Sequence, residues 1–351
     1  TGSDGSRGIQ EIHKAGGYVL CEDVQSAKFD GMPLAAQETG VVDEVLHADQ
    51  IADALVNHLR APEDRIQRAT SLDVEPAEGV QAVFDLLRES YDIDFSHYKP
   101  TTVSRRIERR LALVGDTHID DYVERLRGDA GELNSLYKDL LIGVTKFFRD
   151  AEPFDRLQRE IIPDILQRVP RDEEIRVWVA GCATGEEPYS IAILLHEALE
   201  KAERPINVKI LATDVHKASL DQAAHGVFDD EQLAEVSPQR LARYFTRRKD
   251  DYKVSQDLRQ LIIFAHHNVL KDSPFTNLDL ISCRNLLIYF QPQAQKKAVS
   301  LFHFGLKTGG VLMLGSSEAP GELADEFATI DDHCKLYRKR RDIRLPAEMR
   351  L

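Results

Sequence analysis

The stretch IRVWVAGCATGEEPYSIAILLHEAL, residues 175–199, predicts the fold class of this chain. Its first six residues form an apolar run of strand length, and Gly181, Ala183 and Gly185 then predict a tight turn. The last nine residues carry apolar side chains at helical spacing. A strand, a small-residue turn and a helix in this order are typical of the nucleoside site of a doubly wound α/β sheet. The alternative is an ordinary strand-to-helix turn, because a lone glycine motif is weakly specific.

The predicted turn is acidic, which narrows the kind of ligand it would hold. Glu186 and Glu187 stand where a phosphate-binding loop presents bare amides or a lysine, so they argue against a pyrophosphate. Two carboxylates at this place suit a ligand with a cationic head, such as the sulfonium and amino groups of S-adenosylmethionine. Of the two, Glu187 is the candidate ligand contact, and Glu186 is assigned only as a charge at the helix N-terminus. The next predicted strand, 208–215, ends in Asp214 at about the 20-residue offset of ribose-binding carboxylates. Asp214 has an alternative role as the N-cap of a helix beginning at His216.

Composition limits the classes of function that need to be considered. The chain has 351 residues, a formal net charge of -14 and 42% hydrophobic residues, which is typical of a globular enzyme and not of a nucleic-acid-binding protein. No apolar run approaches the 18 or so residues of a membrane span, and no signal peptide is recognisable. The four cysteines are scattered without metal-ligand spacing, so we expect reduced thiols, no metal site and a cytoplasmic location.

The distribution of apolar residues, prolines and glycines predicts the domain organisation. The alternation of strand and helix patterns after Pro153 predicts a parallel sheet, preceded by a helical region. We expect, in order, an α/β fragment over 1–59, a linker over 60–78, a helical domain over 79–148, a sheet domain over 149–340 with a β-subdomain at about 229–262, and a tail over 341–351. Within the sheet domain, YFTR and YKV flank a polar turn and predict a hairpin from Tyr244 to Val254, and GGVLMLGSSE, residues 309–318, is expected to form the final edge.

A cluster of arginines lies on one predicted helix. Arg105 and Arg109, like Arg106 and Arg110, are one turn apart and share a side. In an acidic chain this cluster predicts a positive patch suited to an acidic partner. The alternative is a solvated helix face without a partner.

Two further groups of polar residues are candidates for the site. Thr145 and Arg149 have the i, i+4 spacing at which a hydroxyl and a guanidinium converge on a carboxylate, although plain packing at a domain boundary is the alternative. Arg284 and Asn285 follow an apolar strand, with Tyr289 shortly after them. Ligands of open α/β sheets bind at the carboxyl ends of strands, so these residues are expected near the cofactor, with Tyr289 alternatively a packing residue.

Five motifs together resemble one family. VTKFFRD, AGCATGEEPYSIA, ATDV, HHNV and ISCRNLLIYF occur in the order seen in CheR-type chemotaxis receptor methyltransferases, and the resemblance covers about residues 79–338. It implies an all-helical domain joined to an S-adenosylmethionine-binding, Rossmann-like α/β domain with an inserted β-subdomain. It also implies methylation of glutamate side chains on the cytoplasmic helices of methyl-accepting chemoreceptors, giving glutamyl methyl esters and S-adenosylhomocysteine.

The resemblance implies roles for individual residues. The residues implied to contact the cofactor, or to lie beside it, are Thr145, Arg149, Gly181, Glu187, Asp214, Asn268, Val269, Arg284 and Asn285. Arg149 and Tyr289 are expected to position the reactants rather than to act as acid or base, because a glutamate carboxylate is already a nucleophile. The Arg105–Arg110 cluster resembles the basic helix that meets the acidic receptor, and the predicted hairpin resembles the subdomain that binds a receptor's C-terminal peptide in some members. We expect a monomer that approaches the membrane only through the receptor and binds no nucleic acid.

Two features qualify this resemblance. Gly143 stands where the family often has Asn, which predicts weaker cofactor binding. The first 59 residues resemble the C-terminal end of CheB-type methylesterases, whose triad aspartate would be Asp4; without the family's Ser and His upstream, that part is expected to be inactive. The chain is thus interpreted as a truncated CheB–CheR fusion. The alternatives are a methyltransferase for another acceptor and a non-catalytic module that docks on receptors.

Overall fold

The computed structural model describes most of the chain. The described residues are 5–6, 8–9, 12, 18–24, 26–29, 31–39, 41–52, 54–55, 78–141, 143, 145–203 and 206–343. Asp4, nearly all of the expected linker and the tail from residue 344 lie outside them. The chain divides into two compact units, Thr1–Leu140 and Leu141–Leu351, so residues 141–148, which we placed at the end of the helical domain, belong to the second unit.

The first unit begins with a small α/β element. Its members are β1 (Leu20–Glu22), α1 (Gly31–Glu38) and β2 (Glu44–Leu46). The two strands pair in parallel, and Val19 and Cys21 are buried. The amide of Val19 donates to Asp43 Oδ2 at 2.6 Å, which fixes the chain just before each strand.

From Glu78 onward, four α-helices follow among the residues that the structure describes in the first unit. They are α2 (Glu78–Tyr91), α3 (Pro100–Leu113), α4 (Ile119–Gly128) and α5 (Ala130–Leu140). Pro100 occupies the first turn of α3, where a missing N–H costs nothing. The fully buried side chains recur four residues apart, as in Val83 and Leu87 of α2 and Val103 and Ile107 of α3, so each helix turns one apolar stripe to the core.

The second unit is a mixed sheet flanked by helices. Its helices are α6 (Ala151–Arg156), α7 (Ile162–Arg168), α8 (Glu186–Ala202), α9 (Lys217–His225), α10 (Pro238–Tyr244), α11 (Gln256–Gln260) and α12 (Pro292–Gly305). A π-helical turn, Leu157–Ile161, joins α6 to α7. The strands of the main sheet are β3 (Ile175–Ala180), β4 (Val208–Asp214), β8 (Ile262–His266), β9 (Leu278–Cys283), β10 (Leu306–Leu314), β11 (Phe327–Asp331) and β12 (Leu336–Lys339).

The order of these strands places a topological switch at the sheet centre. The order is β11-β12-β10-β9-β3-β4-β8, with β10, β9, β3, β4 and β8 parallel. From β3 the chain proceeds outward through β4 and β8, and then returns to β9 on the other side of β3. Every residue of β9 is buried, as expected for a parallel strand covered on both faces. The predicted doubly wound sheet is therefore confirmed, and ligands of such sheets bind at the carboxyl ends beside the switch.

The prediction that residues 309–318 form the final edge is wrong. Strand β10 lies inside the sheet, and the edge is the antiparallel hairpin of β11 and β12. β12 has the sequence LYRK, in which Lys339 is only 2% exposed and its Nζ donates to the Leu306 carbonyl at 2.7 Å. This lysine interrupts the apolar pattern of the strand, so β12 was not predicted.

The predicted hairpin is confirmed, and it belongs to a three-stranded subdomain. The subdomain strands are β5 (Val227–Phe228), β6 (Phe245–Arg247) and β7 (Tyr252–Val254), in the antiparallel order β5-β7-β6. Helix α10 precedes the hairpin, and neither α10 nor β5 was predicted. Across the described residues, no helix has both the length and the apolar character that crossing a membrane requires.

Candidate active site

The turn after β3 has the tight geometry that its small residues predict. Gly181, Ala183 and Gly185 all have positive φ, at +74°, +45° and +101°. A Cβ on Gly185 would lie 2.8 Å from Ala223 Cβ, so the turn has no room for a side chain there. The amide of Gly181 donates to the Thr213 carbonyl at 2.8 Å, which joins the turn to the end of β4.

Asp214 ties the end of β4 to this turn. Its Oδ2 accepts from the Ala183 amide and its Oδ1 from the His216 amide, both at 2.9 Å. Helix α9 begins at Lys217 with His216 as its N-cap, so the alternative that Asp214 caps this helix is wrong. Burial raises the pKa of Asp214, although the two amide bonds oppose that shift.

The two adjacent glutamates have different surroundings. Glu186 is 1% exposed, and its carboxylate accepts from Thr184 Oγ1 at 2.7 Å and from Gln232 Nε2 at 3.0 Å. Burial raises its pKa. Glu186 therefore binds the turn to the chain that follows β5, and our description of it as only a helix N-terminal charge missed this role.

Glu187 belongs to a polar network centred on Arg284. Glu187 Oε1 accepts from Ser282 Oγ at 2.6 Å, and its Oε2 lies 3.4 Å from Arg284 Nη1. Arg284 Nη2 donates to the Arg149 carbonyl at 2.9 Å and to Asp150 Oδ2 at 2.6 Å. The Arg284 side chain is 1% exposed, so it joins three segments of the chain rather than presenting its charge to solvent.

The segment that carries Arg149 is a strained turn. Phe148 and Asp150 have φ of +50° and +57°, and each such residue costs about 1–3 kcal/mol. The amide of Phe148 donates to Ser190 Oγ at 3.0 Å, and Arg149 between them is 9% exposed. Residues 145–150 form no helix, so the i, i+4 argument that brought Thr145 and Arg149 together does not hold.

The loop after β9 is held by an acid that sequence reasoning missed. Glu318, 5% exposed, accepts from the amides of Gly315 at 2.6 Å, Asn285 at 3.1 Å and Ile288 at 3.2 Å. Burial raises its pKa, and these amide bonds oppose the shift. The available signal was an acid four residues after the end of β10, the strand that pairs with β9. Tyr289 is half-buried on a 3-10 turn at the end of this loop.

Other predicted residues lie at the same edge of the sheet. Asn268 and Val269 follow β8; Asn268 Oδ1 accepts from the Leu270 amide at 3.0 Å, and Val269 is 6% exposed.

Burial raises the pKa of the Cys182 and Cys283 thiols, so neither is a thiolate nucleophile at neutral pH. No group of metal-ligating side chains comes together among the residues that the structure describes.

The residues at this edge fit S-adenosylmethionine. The parallel strands bring together the glycine turn, Glu187, Asp214 and the loop from Arg284 to Tyr289. Carboxylates dominate this set, which suits a ligand with a cationic head and ribose hydroxyls. Within the described part of the chain, the buried Asn285 Oδ1 has no hydrogen-bond partner, so it is an acceptor that a ligand can satisfy.

The predicted basic cluster on α3 is partly neutralised within its own unit. Arg110 Nε donates to Glu132 Oε1 at 3.0 Å, and Asp139 lies 3.7 Å from the same guanidinium. Arg105 pairs with Asp43, whose side chain is 5% exposed. Arg109 is exposed and Arg106 half-buried. The four arginines therefore do not form the uniform positive patch that their spacing suggested.

Comparison with known proteins agrees with these features. The family model for the CheR methyltransferase SAM-binding domain matches residues 143–335, that for the CheR all-alpha domain matches 78–141, and that for the CheB methylesterase matches 1–55. Chemotaxis protein methyltransferase 2 of Vibrio cholerae is 33% identical over 73% of this chain and 88% of its own length. The chemotaxis protein methyltransferase of Escherichia coli K12 is 33% identical over 70% of this chain and 85% of its own.

A longer relative matches nearly the whole chain. An uncharacterized 104.1 kDa protein of Rhodobacter capsulatus is 38% identical over 96% of this chain. The chain spans only 38% of that relative's length. The match thus extends through the esterase-like segment as well as both later domains.

Proposed function

The chain belongs to the CheR methyltransferase family, with a CheB methylesterase-like segment at residues 1–55, and from this premise we propose that it methylates glutamate side chains on the cytoplasmic helices of chemoreceptors. The cofactor is S-adenosylmethionine, which supplies a methyl group on a positively charged sulfur. The products are glutamyl methyl esters and S-adenosylhomocysteine. A protein acceptor with ionised carboxylates needs positioning rather than a general base, and the residues at the strand ends are suited to that task.

Glu187 and Asp214 are proposed to hold the cofactor. Each carboxylate offers about four lone-pair sites, and the protein contacts described above leave part of that capacity unused. Asp214 would accept from the ribose hydroxyls, and Glu187 from the cationic amino-acid end. Gly181, which has no side chain, would let the backbone of the turn approach the cofactor closely. Asn268, Val269 and Asn285 lie at the same edge of the sheet.

One observation carries the proposal: Arg284 binds both Glu187 and the turn that contains Arg149. The buried Arg284 guanidinium therefore fixes Glu187 and the Arg149 turn to one another. Arg149 and Tyr289 are proposed to align the acceptor carboxylate and exclude water, which accelerates transfer through orientation. Arg149 is also proposed to contact the cofactor, so its orientation affects cofactor affinity as well as transfer. Thr145, half-buried before the turn, is proposed as a neighbouring contact.

Recognition of the receptor is proposed to use two other surfaces. Arg109 on α3 is exposed, with Arg106 half-buried near it, and both would meet an acidic helical substrate. In the subdomain, β6 is an edge strand, with Thr246 and Arg247 exposed, and is open to pairing with an extended receptor peptide.

The test is transfer of labelled methyl groups to membranes that contain chemoreceptors. We expect base-labile label in the receptor with the wild type, and a loss of roughly 10³-fold or more in turnover with Arg149→Met. Arg159→Met is the control, because this side chain is 76% exposed and far less constrained. Label in RNA or small acids instead of receptor esters would contradict the proposal, as would S-adenosylhomocysteine binding without any transfer.

A further inference from the structure

Arg240 lies at the start of α10 and reaches out of the subdomain. Ser237 Oγ caps this helix by accepting from the Arg240 amide at 3.4 Å. The guanidinium forms a bidentate pair with Glu197 of α8, with Nε at 3.0 Å and Nη2 at 2.9 Å from the two oxygens. Nη2 also donates to Gln158 of the π-helical turn at 3.2 Å. The guanidinium plane is thus held by two segments outside the subdomain.

This fixed guanidinium stacks on the turn that carries Arg149. Its central carbon lies 4.7 Å from the centroid of the Phe148 ring, within the range of a cation–π contact. The backbone of the same residue is strained, because Phe148 adopts a left-handed conformation immediately before Arg149. Ser190 holds the Phe148 amide, and Arg284 holds the Arg149 carbonyl. Arg240 therefore adds a contact to a side chain whose backbone is already held on both sides.

A strained turn persists only where its surroundings fix it from several directions. A planar guanidinium that is itself held by a carboxylate is well suited to fix an aromatic ring. We propose that Arg240 is a positioning residue, which acts through the Phe148 ring to set the orientation of Arg149; this inference rests on the proposed function for the role of Arg149. Helix α10 thereby joins the subdomain to the turn that carries Arg149. Peptide binding at β6 and the cofactor site are then physically connected through α10.

The same helix provides a matched control. Arg243, one turn further along α10, also pairs with a glutamate of α8, Glu200, and also lies over a ring, that of Tyr244 at 5.0 Å. Its side chain is 44% exposed, compared with 20% for Arg240. Replacement of either arginine removes one ion pair to α8 and one cation–π contact, but only Arg240 contacts the Arg149 turn.

The experiment compares Arg240→Met, Arg240→Lys and Arg243→Met in the full chain. Calorimetric titration with S-adenosylhomocysteine should show a Kd about three- to tenfold higher for Arg240→Met, the range that loss of a partly buried cation–π contact allows. Arg243→Met should remain within about twofold of the wild type, and Arg240→Lys should recover part of the loss because its ammonium can still lie over the ring. Equal affinities for the two Met variants at equal melting temperatures would overturn the proposal.

A double variant tests whether the effect passes through Phe148. In a Phe148→Leu background, Arg240→Met should change the Kd no further, whereas additive losses would contradict the proposed contact. Steady-state kinetics with receptor membranes should show a lower kcat for Arg240→Met at saturating cofactor, with wild-type kcat for Arg243→Met. If the wild type forms no glutamyl esters, the proposed function fails, and the difference in S-adenosylhomocysteine affinity still decides the role of Arg240.

Discussion

Each unit contains a buried glutamate, Glu132 in α5 of the helical unit and Glu318 after β10 of the sheet unit. The two differ in their hydrogen-bond donors, which are side chains for Glu132 and backbone amides for Glu318. Glu132 accepts from the Arg110 guanidinium and from the Tyr122 hydroxyl. Burial alone would raise its pKa, but these bonds outweigh burial and hold the pKa below its ordinary value. Glu318 is held by backbone amides, and its pKa is raised by burial.

This difference explains what each region can do. A carboxylate whose two oxygens both bind one guanidinium, as those of Glu132 bind Arg110, joins helices but leaves little net field for a ligand. Glu187 differs, because only one of its oxygens approaches Arg284, at 3.4 Å. Carboxyl groups held by backbone amides, such as Asp214 and Glu318, shape the loops at the strand ends, and the contacts given above include no guanidinium on either of them. A cationic cofactor head is favoured at that edge and not beside Glu132.

The largest expected effect concerns Arg284, the buried cation within the sheet unit. Arg284→Met should lower the free energy of unfolding by about 3–5 kcal/mol, because Glu187 and Asp150 would lose their partner. Arg159→Met removes an exposed pair with Asp155 and should cost no more than about 1 kcal/mol. Urea unfolding followed by fluorescence reports on this unit, because the single tryptophan, Trp178, lies in β3. A loss no greater than the control's would show that Arg284 is not the centre of the network.

A smaller effect, of about 1–3 kcal/mol, is expected for Glu132→Gln, and its pH dependence sharpens the comparison. The stabilisation by Glu132 is present above its ordinary pKa and is lost as pH falls through the lower folded pKa. For Glu318 the sign is reversed, because its raised pKa means that the contribution present at low pH is lost as pH rises through the folded pKa.

The two variants should therefore differ in opposite ranges of pH. The stability advantage of the wild type over Glu318→Gln should shrink as pH rises above the ordinary glutamate pKa of about 4.3. Its advantage over Glu132→Gln should stay constant there and shrink below about pH 4. Circular dichroism across denaturant series at several pH values measures both, and parallel pH profiles for the two variants would contradict the contrast.

The features that the sequence predicted depend on residues close together in the chain. The strand, turn and helix around Gly181 follow from apolar spacing and small residues within 25 positions, and the parallel topology then brings Asp214 to the same edge. The hairpin of β6 and β7 is likewise a local signal, since a polar turn separates two apolar segments.

The features that sequence did not predict depend on partners far along the chain. Arg284 binds Glu187, 97 positions away, and Asp150, 134 positions away, so its burial cannot be read from its neighbours. Arg110 is likewise turned from a surface cluster to Glu132 by tertiary packing. Strand β12 was hidden because Lys339 is buried against a backbone carbonyl, against the usual preference of lysine for solvent.

The adjacent pair Glu186 and Glu187 provides the most direct test of the strand-end cofactor site. Both are acids of the first turn of α8, but only Glu187 is placed in the network with Arg284 and the Arg149 turn, whereas Glu186 is bound by Thr184 and Gln232. The measurement is calorimetric titration of S-adenosylhomocysteine into the wild type, Glu186→Gln and Glu187→Gln. We predict a Kd at least about tenfold higher for Glu187→Gln, the loss of one charge-assisted contact, with Glu186→Gln within about threefold of the wild type. Wild-type affinity for Glu187→Gln, or a larger loss for Glu186→Gln, would contradict the assignment of this site.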